Sequence, residues 1–267
     1  MAFQNYKIGR SLIAFDGSVE WVGLKHFTDF VNSIFFKRIF YNTIRLSFKS
    51  ILFGFWVPVV FALLLNEVKV KWYKKVTQTF VYLPYFISTV IVVAMMISMT
   101  STEGVVNRIV QMTGGKSIFF MQDPKYFDGL YIFTQIWQTF GYSSIIYLAG
   151  IASIDPSLYE AATVDGANRM HKIWFITLPG ILPMIVILLI LSVGGILNAN
   201  TEKVLLMYSS PLYDRADVIG TYVYRIGLVN AKYSYTTAVG LFSNIIAFAL
   251  VFSTNMMARK FTEYSLW

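Results

Sequence analysis

The stretch EAATVDGANRMHKIWFITLP, Glu160 to Pro179, separates two apolar segments. Each of those segments is long enough to cross a bilayer. The stretch itself is polar and charged, so it stays out of hydrocarbon and offers a surface to something soluble. A chain built this way is a lipid-embedded helical bundle with a short lever at one of its aqueous faces.

Composition agrees. The 267 residues are 56% hydrophobic and 13% charged, with mean hydropathy +0.59. Soluble domains carry about 25% charged residues. A soluble fold of this length could not hide so much apolar surface, so the excess faces lipid. Cysteine is absent, which excludes disulfides, thiolate chemistry and Cys-based metal sites. His26 and His171 lie far apart, without metal-ligand spacing. The net charge of +8 reads as headgroup anchoring rather than nucleic-acid binding, because no basic stripe with interleaved aromatics lies outside the apolar segments.

About five stretches can span roughly 30 Å of hydrocarbon: Tyr41 to Leu65, Thr79 to Met99, Leu130 to Ala152, Ile181 to Leu197 and Thr236 to Ala258. Arg45 and Lys49 lie one helical turn apart near the start of the first. A lipid-facing charge at mid-membrane costs about 2.5–3.5 kcal/mol, so these two snorkel or face protein. Pro58 and Pro84 fall inside or near the start of spans, where kinks are expected. Ser192, Gly194 and Gly195 permit close helix contact on the fourth.

The connector after the first span carries Lys69, Lys71, Lys74 and Lys75 against Glu67. Positive-inside reasoning places it in the cytoplasm. Counting spans then puts Glu160–Pro179 and the tail with Arg259 and Lys260 on the same side. The connectors at 100–129 and 198–235 and the segment 1–40 fall outside, although five basic groups in 1–40 sit poorly with that side. No cleavable signal follows Met1. Gly114-Gly115, Asp123-Pro124 and Ser210-Pro211 are turn signals. The expected organisation is an external segment 1–40 and a membrane domain 41–267, with a cytoplasmic connector at 153–180.

Within that connector, Ser157 and Glu160 fit a capping box, and Pro156 suits a first helical turn. A short helix should run to about Val164. Gly166 then supplies positive φ. A second helical piece runs from Ala167 to about Thr177 and leads to Pro179. Ala161, Ala162 and Ala167 are small enough for a partner's surface to approach the backbone.

These residues resemble the EAA signature of permease subunits of binding-protein-dependent ABC importers. Glu160, Ala161, Ala162, Gly166, Ile176, Leu178 and Pro179 match its types and spacing, and Asp165 and Ala167 extend it to the DGA form of carbohydrate importers. ALLLNEVK (62–69), YLPYFIS (82–88), GIASIDPSLYEAA (150–162), ILLILSVGGILNA (187–199) and the terminal SLW look like the oligosaccharide branch. The resemblance covers essentially the whole chain and implies the all-α, type I ABC importer transmembrane-domain fold in a bacterial cytoplasmic membrane. Family members usually carry a further span before the region that begins here, so five spans are expected where six would be usual.

The resemblance also implies a mechanism. The EAA helix couples to a cytoplasmic ATPase dimer, which binds ATP and Mg. A second, similar permease completes the path, and an extracellular binding protein delivers a sugar or oligosaccharide, docking at 198–235. This chain holds no GxxxxGK[ST] loop, so no cofactor is expected in it. A sugar path needs aromatic faces and amide groups near mid-membrane. Gln135, Trp137, Gln138 and Tyr142 on the third span, Asn198 and Asn200 after the fourth, and Ser243 and Asn244 on the fifth are the candidates. The plainer role for each is an interhelical hydrogen bond or an interface ring. An amino-acid, peptide or phosphate permease is the alternative within the family. A secondary carrier would need ionisable groups buried mid-membrane, and apart from Arg45 and Lys49 the spans hold none. A membrane-embedded enzyme would need HExxH, a Ser/His/Asp set or paired carboxylates in the spans, which are missing from the sequence.

Overall fold

The structure, a computed structural model, describes residues 1–6 and 19–267. Among these residues the regular structure is helical, joined by turns and loops, with one isolated antiparallel bridge between Gln4 and Trp21. The helices are α1 (Lys25–Val31), α2 (Phe36–Gly54), α3 (Trp56–Asn66), α4 (Lys71–Tyr82), α5 (Thr89–Thr100), α6 (Val105–Met112), α7 (Pro124–Ala152), α8 (Pro156–Val164), α9 (Arg169–Lys172), α10 (Leu178–Gly194), α11 (Thr201–Met207), α12 (Tyr213–Ala216), α13 (Ile219–Val223) and α14 (Tyr233–Phe261). Two wide, π-type turns, Ile173–Thr177 and Tyr224–Val229, continue α9 and α13.

Among the described residues, four helical runs are long and apolar enough to cross a membrane: Phe36–Asn66, Thr89–Met112, Arg169–Gly194 and Tyr233–Phe261. The third expected span is the 29-residue α7, about 43 Å long at 1.5 Å per residue. It has the length, but Asp128, Gln135 and Gln138 dilute its apolar character. The second expected span differs most. Thr79 to Met99 is not one helix: it breaks at a 3₁₀ turn, Leu83–Phe86, and α5 restarts at Thr89. Pro84 has no amide hydrogen for the i−4 carbonyl and its ring crowds that carbonyl. Pro58 acts likewise on Gly54, where α2 stops and α3 begins at Trp56.

The fourth span is longer than expected. Helix continues from Arg169 through Pro179 and Pro183 to Gly194. The wide turn at Ile173–Thr177 lies just ahead of Pro179. Widening moves the carbonyls away from the proline ring, so the helix passes where the sequence suggested a stop.

The described residues form two compact units. One comprises Met1–Phe48, Thr100–Asp128 and Gly194–Leu250; the other comprises Lys49–Met99, Gly129–Val193 and Val251–Trp267. The first is cored by Phe30, Ile39, Leu197, Ile219, Tyr222 and Val239. Phe30 meets Phe36 and Phe242 edge-on at 5.1 and 5.5 Å. Buried Asn107 ties the 100–118 connector, donating to Ser101 O and Ile118 O and accepting from Ile118 N at 2.8–2.9 Å. The second unit is cored by Phe55, Val59, Ala62, Tyr147, Ile151, Ile181 and Ile185. In it Asn255 on α14 accepts from Leu266 N at 2.8 Å, which folds the terminal SLW back on its helix.

Candidate functional site

The connector 153–180 lies wholly in the second unit. Its helix α8 starts two residues earlier than the capping box implied. Asp155, not Ser157, is the N-cap: its carboxylate accepts from Ser157 N at 2.9 Å. The reason is Pro156. A residue before proline is pushed out of the helical region, and Asp155 stands at φ −59°, ψ 121°, the extended geometry an N-cap needs. The amide hydrogen bond from Ser157 holds the Asp155 carboxyl below the usual carboxylate range. Asp123-Pro124 opens α7 by the same device, with Lys125 N on the Asp123 carboxylate at 2.9 Å.

The C-terminus of α8 agrees with the sequence reading. The helix ends at Val164, and Gly166 has φ +77°. Ala167 N reaches Ala162 O at 2.8 Å and Gly166 N reaches Thr163 O at 3.2 Å. These are the paired bonds of a Schellman turn, which needs a left-handed residue at its centre. Ala162 and Ala167 are the two half-buried alanines of the motif, while Ala161 is exposed. Asn168 then caps α9 by accepting from His171 N at 2.9 Å. The second helical piece therefore begins at Arg169 rather than Ala167.

Two side-chain ties close the turn. Tyr159 Oη and Thr177 Oγ1 are 2.9 Å apart, and Lys172 Nζ donates to Thr163 Oγ1 at 2.7 Å. Thr177 also donates to Lys172 O at 3.3 Å, an i−5 partner that only the wide turn brings within reach. α8 is thus lashed to the start of the long helix ending at Gly194.

What the segment presents outward is a mixed polar and apolar face. Glu160, Ala161, Asp165, Gly166 and Pro179 are exposed; Ile176 and Leu178 are half-buried. Leu158, Val164, Met170, Trp174 and Phe175 are exposed apolar residues on the same segment. Glu160 makes no capping contact with Ser157, whose amide belongs to Asp155. The sequence missed Tyr159, Thr163, Lys172 and Thr177, which hold the segment in shape. The one signal for them was the i, i+4 spacing of Tyr159 and Thr163, whose hydroxyl donates to Tyr159 O at 2.6 Å.

The residues expected along a sugar path fall in both units. In the second, α7 brings Gln138 and Tyr142 to the break after α4. Gln138 Nε2 donates to Ile87 O at 3.1 Å, satisfying a carbonyl freed by the break. Tyr142 stacks on Tyr85 at 3.9 Å with rings 4° from parallel, and Phe86 meets it edge-on at 6.1 Å. Tyr142 remains exposed, and Gln135 and Trp137 are half-buried on the same helix. In the first unit Asn200 caps α11 by accepting from Lys203 N at 3.1 Å. Asn198 and Asn244 are exposed, and Ser243 is turned to the Val239 carbonyl at 3.0 Å.

The connector 198–235 folds around one buried carboxylate. Asp217 takes Arg225 at 2.9 Å and Arg38 at 3.1 Å, and Thr221 donates to it at 2.8 Å. Tyr208 stacks on Tyr213 at 4.4 Å and accepts from Arg225. Burial, with the hydrogen bond to Tyr213, pushes the Tyr208 phenol up to about 12. Arg45 faces protein, as one of its two expected choices: it donates to Asp128 at 3.1 Å, Asn42 at 3.0 Å and Arg215 O at 2.6 Å.

A family profile described as "binding-protein-dependent transport system inner membrane component" matches residues 50–262. The chain belongs to that family. It is a multi-pass inner-membrane permease. The permease is 41% identical over 249 residues to protein LplB of Bacillus subtilis (strain 168), covering 93% of this chain and 78% of the relative. It is 41% identical over 268 residues to the polygalacturonan/rhamnogalacturonan transport system permease protein YteP of the same organism, covering 100% of this chain and 82% of that protein. Among solved structures it is similar to a chain of a bacterial alginate ABC transporter in complex with alginate pentasaccharide-bound periplasmic protein, with TM-score 0.88 and 43% identity over 92% of this chain and 85% of that one. The permease therefore has the helical fold of an ABC importer membrane subunit.

Proposed function

We propose that this permease is one of two membrane subunits of an ATP-driven importer for oligosaccharides delivered by an extracellular binding protein, and that Glu160–Pro179 is its coupling segment. The observation that carries the coupling role is the exposed α8, capped at both ends and tied by Tyr159 to the helix that follows. Such a lever is stiff, small in section and open to a soluble partner. The partner is a cytoplasmic ATPase dimer that holds ATP and Mg. Closing of the dimer displaces α8, and the ties at Thr163 and Thr177 pass that displacement to the continuous helix Arg169–Gly194. Segment 1–40 and the connector 198–235 then belong to the outer face, where the binding protein docks.

Likeness to a polygalacturonan/rhamnogalacturonan permease and to an importer of "the acidic polysaccharide alginate" supports an oligosaccharide cargo, and among oligosaccharides a uronate-containing one. The half-buried Gln135 and Trp137 and the exposed Tyr142 offer an amide and aromatic rings of the kind sugars pack against, and Gln138 holds the neighbouring break in place. In the other unit, taken by itself, Asn198 and Asn244 are exposed amides.

The test is transport and ATP hydrolysis by the complete importer in proteoliposomes with its binding protein, comparing oligogalacturonides, alginate oligomers and neutral arabino-oligosaccharides. Gly166→Pro and Glu160→Lys should abolish transport while membrane insertion is kept. Full transport by both variants would remove the coupling role. Equal stimulation by neutral and uronate sugars would remove the acidic preference alone.

A further inference from the structure

We infer that a cleft at the start of α2 is a binding site for the phosphate of an anionic lipid headgroup. The cleft, of about 540 Å³, is lined by Lys37, Arg38, Tyr41, Asn42, Arg45, Asp214 and Arg215. All lie in the first unit. Its cations outnumber the carboxylates that face them. Arg38 is paired with Asp214 and Asp217, Arg45 with Asp128, Arg215 with Asp128 at 3.8 Å, and Arg225 with the same Asp217. Among the described residues the four cations of the cleft, Lys37, Arg38, Arg45 and Arg215, thus meet three carboxylates, and two of those are each shared: Asp128 between Arg45 and Arg215, and Asp217 between Arg38 and Arg225, which lies outside the cleft. Donors are in surplus too: among the described residues the Nε of Arg38 and of Arg45 is buried without a hydrogen-bond partner. A phosphate supplies the missing charge and acceptor oxygens, and guanidinium forks match its geometry.

The position selects a lipid as the source. The cleft occupies the first three turns of the run Phe36–Asn66, ahead of its strongly apolar part. That is where a membrane helix crosses the headgroup layer. Tyr41 on the cleft wall is 63% exposed, and Ile34 and Phe48, at either end of the same stretch, are 88% and 55% exposed. Rings and apolar side chains beside cations form the usual boundary between headgroups and acyl chains. Of the lining cations, Lys37 is exposed, and Arg215 keeps 47% of its side chain in solvent.

The test is native mass spectrometry of the intact importer titrated with phosphatidylglycerol, phosphatidylcholine or sn-glycerol 3-phosphate. Phosphatidylglycerol should bind in preference to phosphatidylcholine, and Lys37→Gln with Arg215→Gln should weaken that preference about tenfold or more. Lys37 is in no ion pair among the described residues, and Arg215 is the more distant and more exposed of the two partners of Asp128, which keeps Arg45 at 3.1 Å, so the fold is kept. Lys74→Gln with Lys75→Gln removes the same charge elsewhere and should leave the preference intact. Equal binding of the two lipids, equal loss in both double variants, or sn-glycerol 3-phosphate binding as tightly as phosphatidylglycerol would each overturn the assignment. None of these outcomes bears on the oligosaccharide reading.

Discussion

The hydroxyls of Tyr159 and Thr177 lie 2.9 Å apart. One belongs to the exposed helix α8 and the other to the wide turn that opens the long helix into the membrane. With the chain turned through Gly166 between them, this bond and the 2.7 Å bond from Lys172 to Thr163 tie α8 to that helix. Tyr159→Phe or Thr177→Val should each cost about 1 kcal/mol of stability, the usual worth of one hydrogen bond. The double variant should cost less than the sum. With α8 as the proposed coupling segment, the expected functional consequence is more specific: ATP hydrolysis should persist while sugar moved per ATP falls. Measuring both in the same proteoliposomes decides it, and an unchanged ratio would show that the bond is only structural.

Gly166 is a conformational requirement and not a packing one. A side chain there would meet nothing within 4 Å, so the only obstacle is φ +77°. Gly166→Ala should therefore destabilise by about 1–2 kcal/mol, the cost of a left-handed alanine. Gly166→Asn should cost less, because asparagine tolerates that region better. Thermal unfolding of the three proteins in one detergent ranks them, and asparagine falling below alanine would contradict the Schellman account.

Asp217 and Asp214 face the same arginine, Arg38, in opposite settings. The Asp217 side chain is fully buried and shared by two guanidinium groups, whereas 87% of the Asp214 side chain is exposed. Removing one partner of a buried pair leaves an uncompensated charge and costs about 3–5 kcal/mol. Asp217→Asn should lower the melting temperature sharply, and Asp214→Asn should barely move it. Equal shifts would mean that water reaches Asp217.

The sequence marked these places unevenly. The positive φ at Gly166 and the end of α8 near Val164 were legible, because a glycine after a short alanine-rich helix has one common use. The N-cap was misplaced to Ser157, since the capping-box pattern was read without the restriction Pro156 puts on Asp155. A kink at Pro84 was legible, but its extent, a full break over Leu83–Ser88, was hidden by unbroken hydropathy. Hydropathy records burial in lipid and says nothing of where a proline interrupts the hydrogen-bond ladder. Of the partners of Asp217, Arg38 could not be found by spacing, because it is 179 residues away and meets Asp217 only through the fold.

Gly141 marks a contact that no side chain could share. A Cβ there would drive into the carbonyl of Val81, so α7 and α4 cross backbone to backbone just before the break at Leu83. Backbone cannot step aside as a flexible side chain can. Gly141→Ala should therefore cost more than the roughly 1–3 kcal/mol of ordinary overpacking. Gly54 is the control: a Cβ there would touch Ile136 Cγ1 at 3.5 Å, normal van der Waals contact, and alanine should be tolerated or mildly stabilising in α2. Expression and melting of the two variants side by side test the crossing.

Lys203 gives a pH dependence of defined sign. Its side chain is fully buried in the first unit, and burial lowers the amine to about 8 from 10.5, with Glu202 opposing. The unfolded chain thus holds a proton that the folded chain releases between those values. Stability should rise with pH across that window and be level with respect to this group below about 8 and above about 10.5. Lys203→Met keeps the length without the charge, so its melting temperature should lose that rise between pH 8 and pH 10. A variant whose pH profile ran parallel to that of the parent would show that the ammonium reaches water in the folded protein.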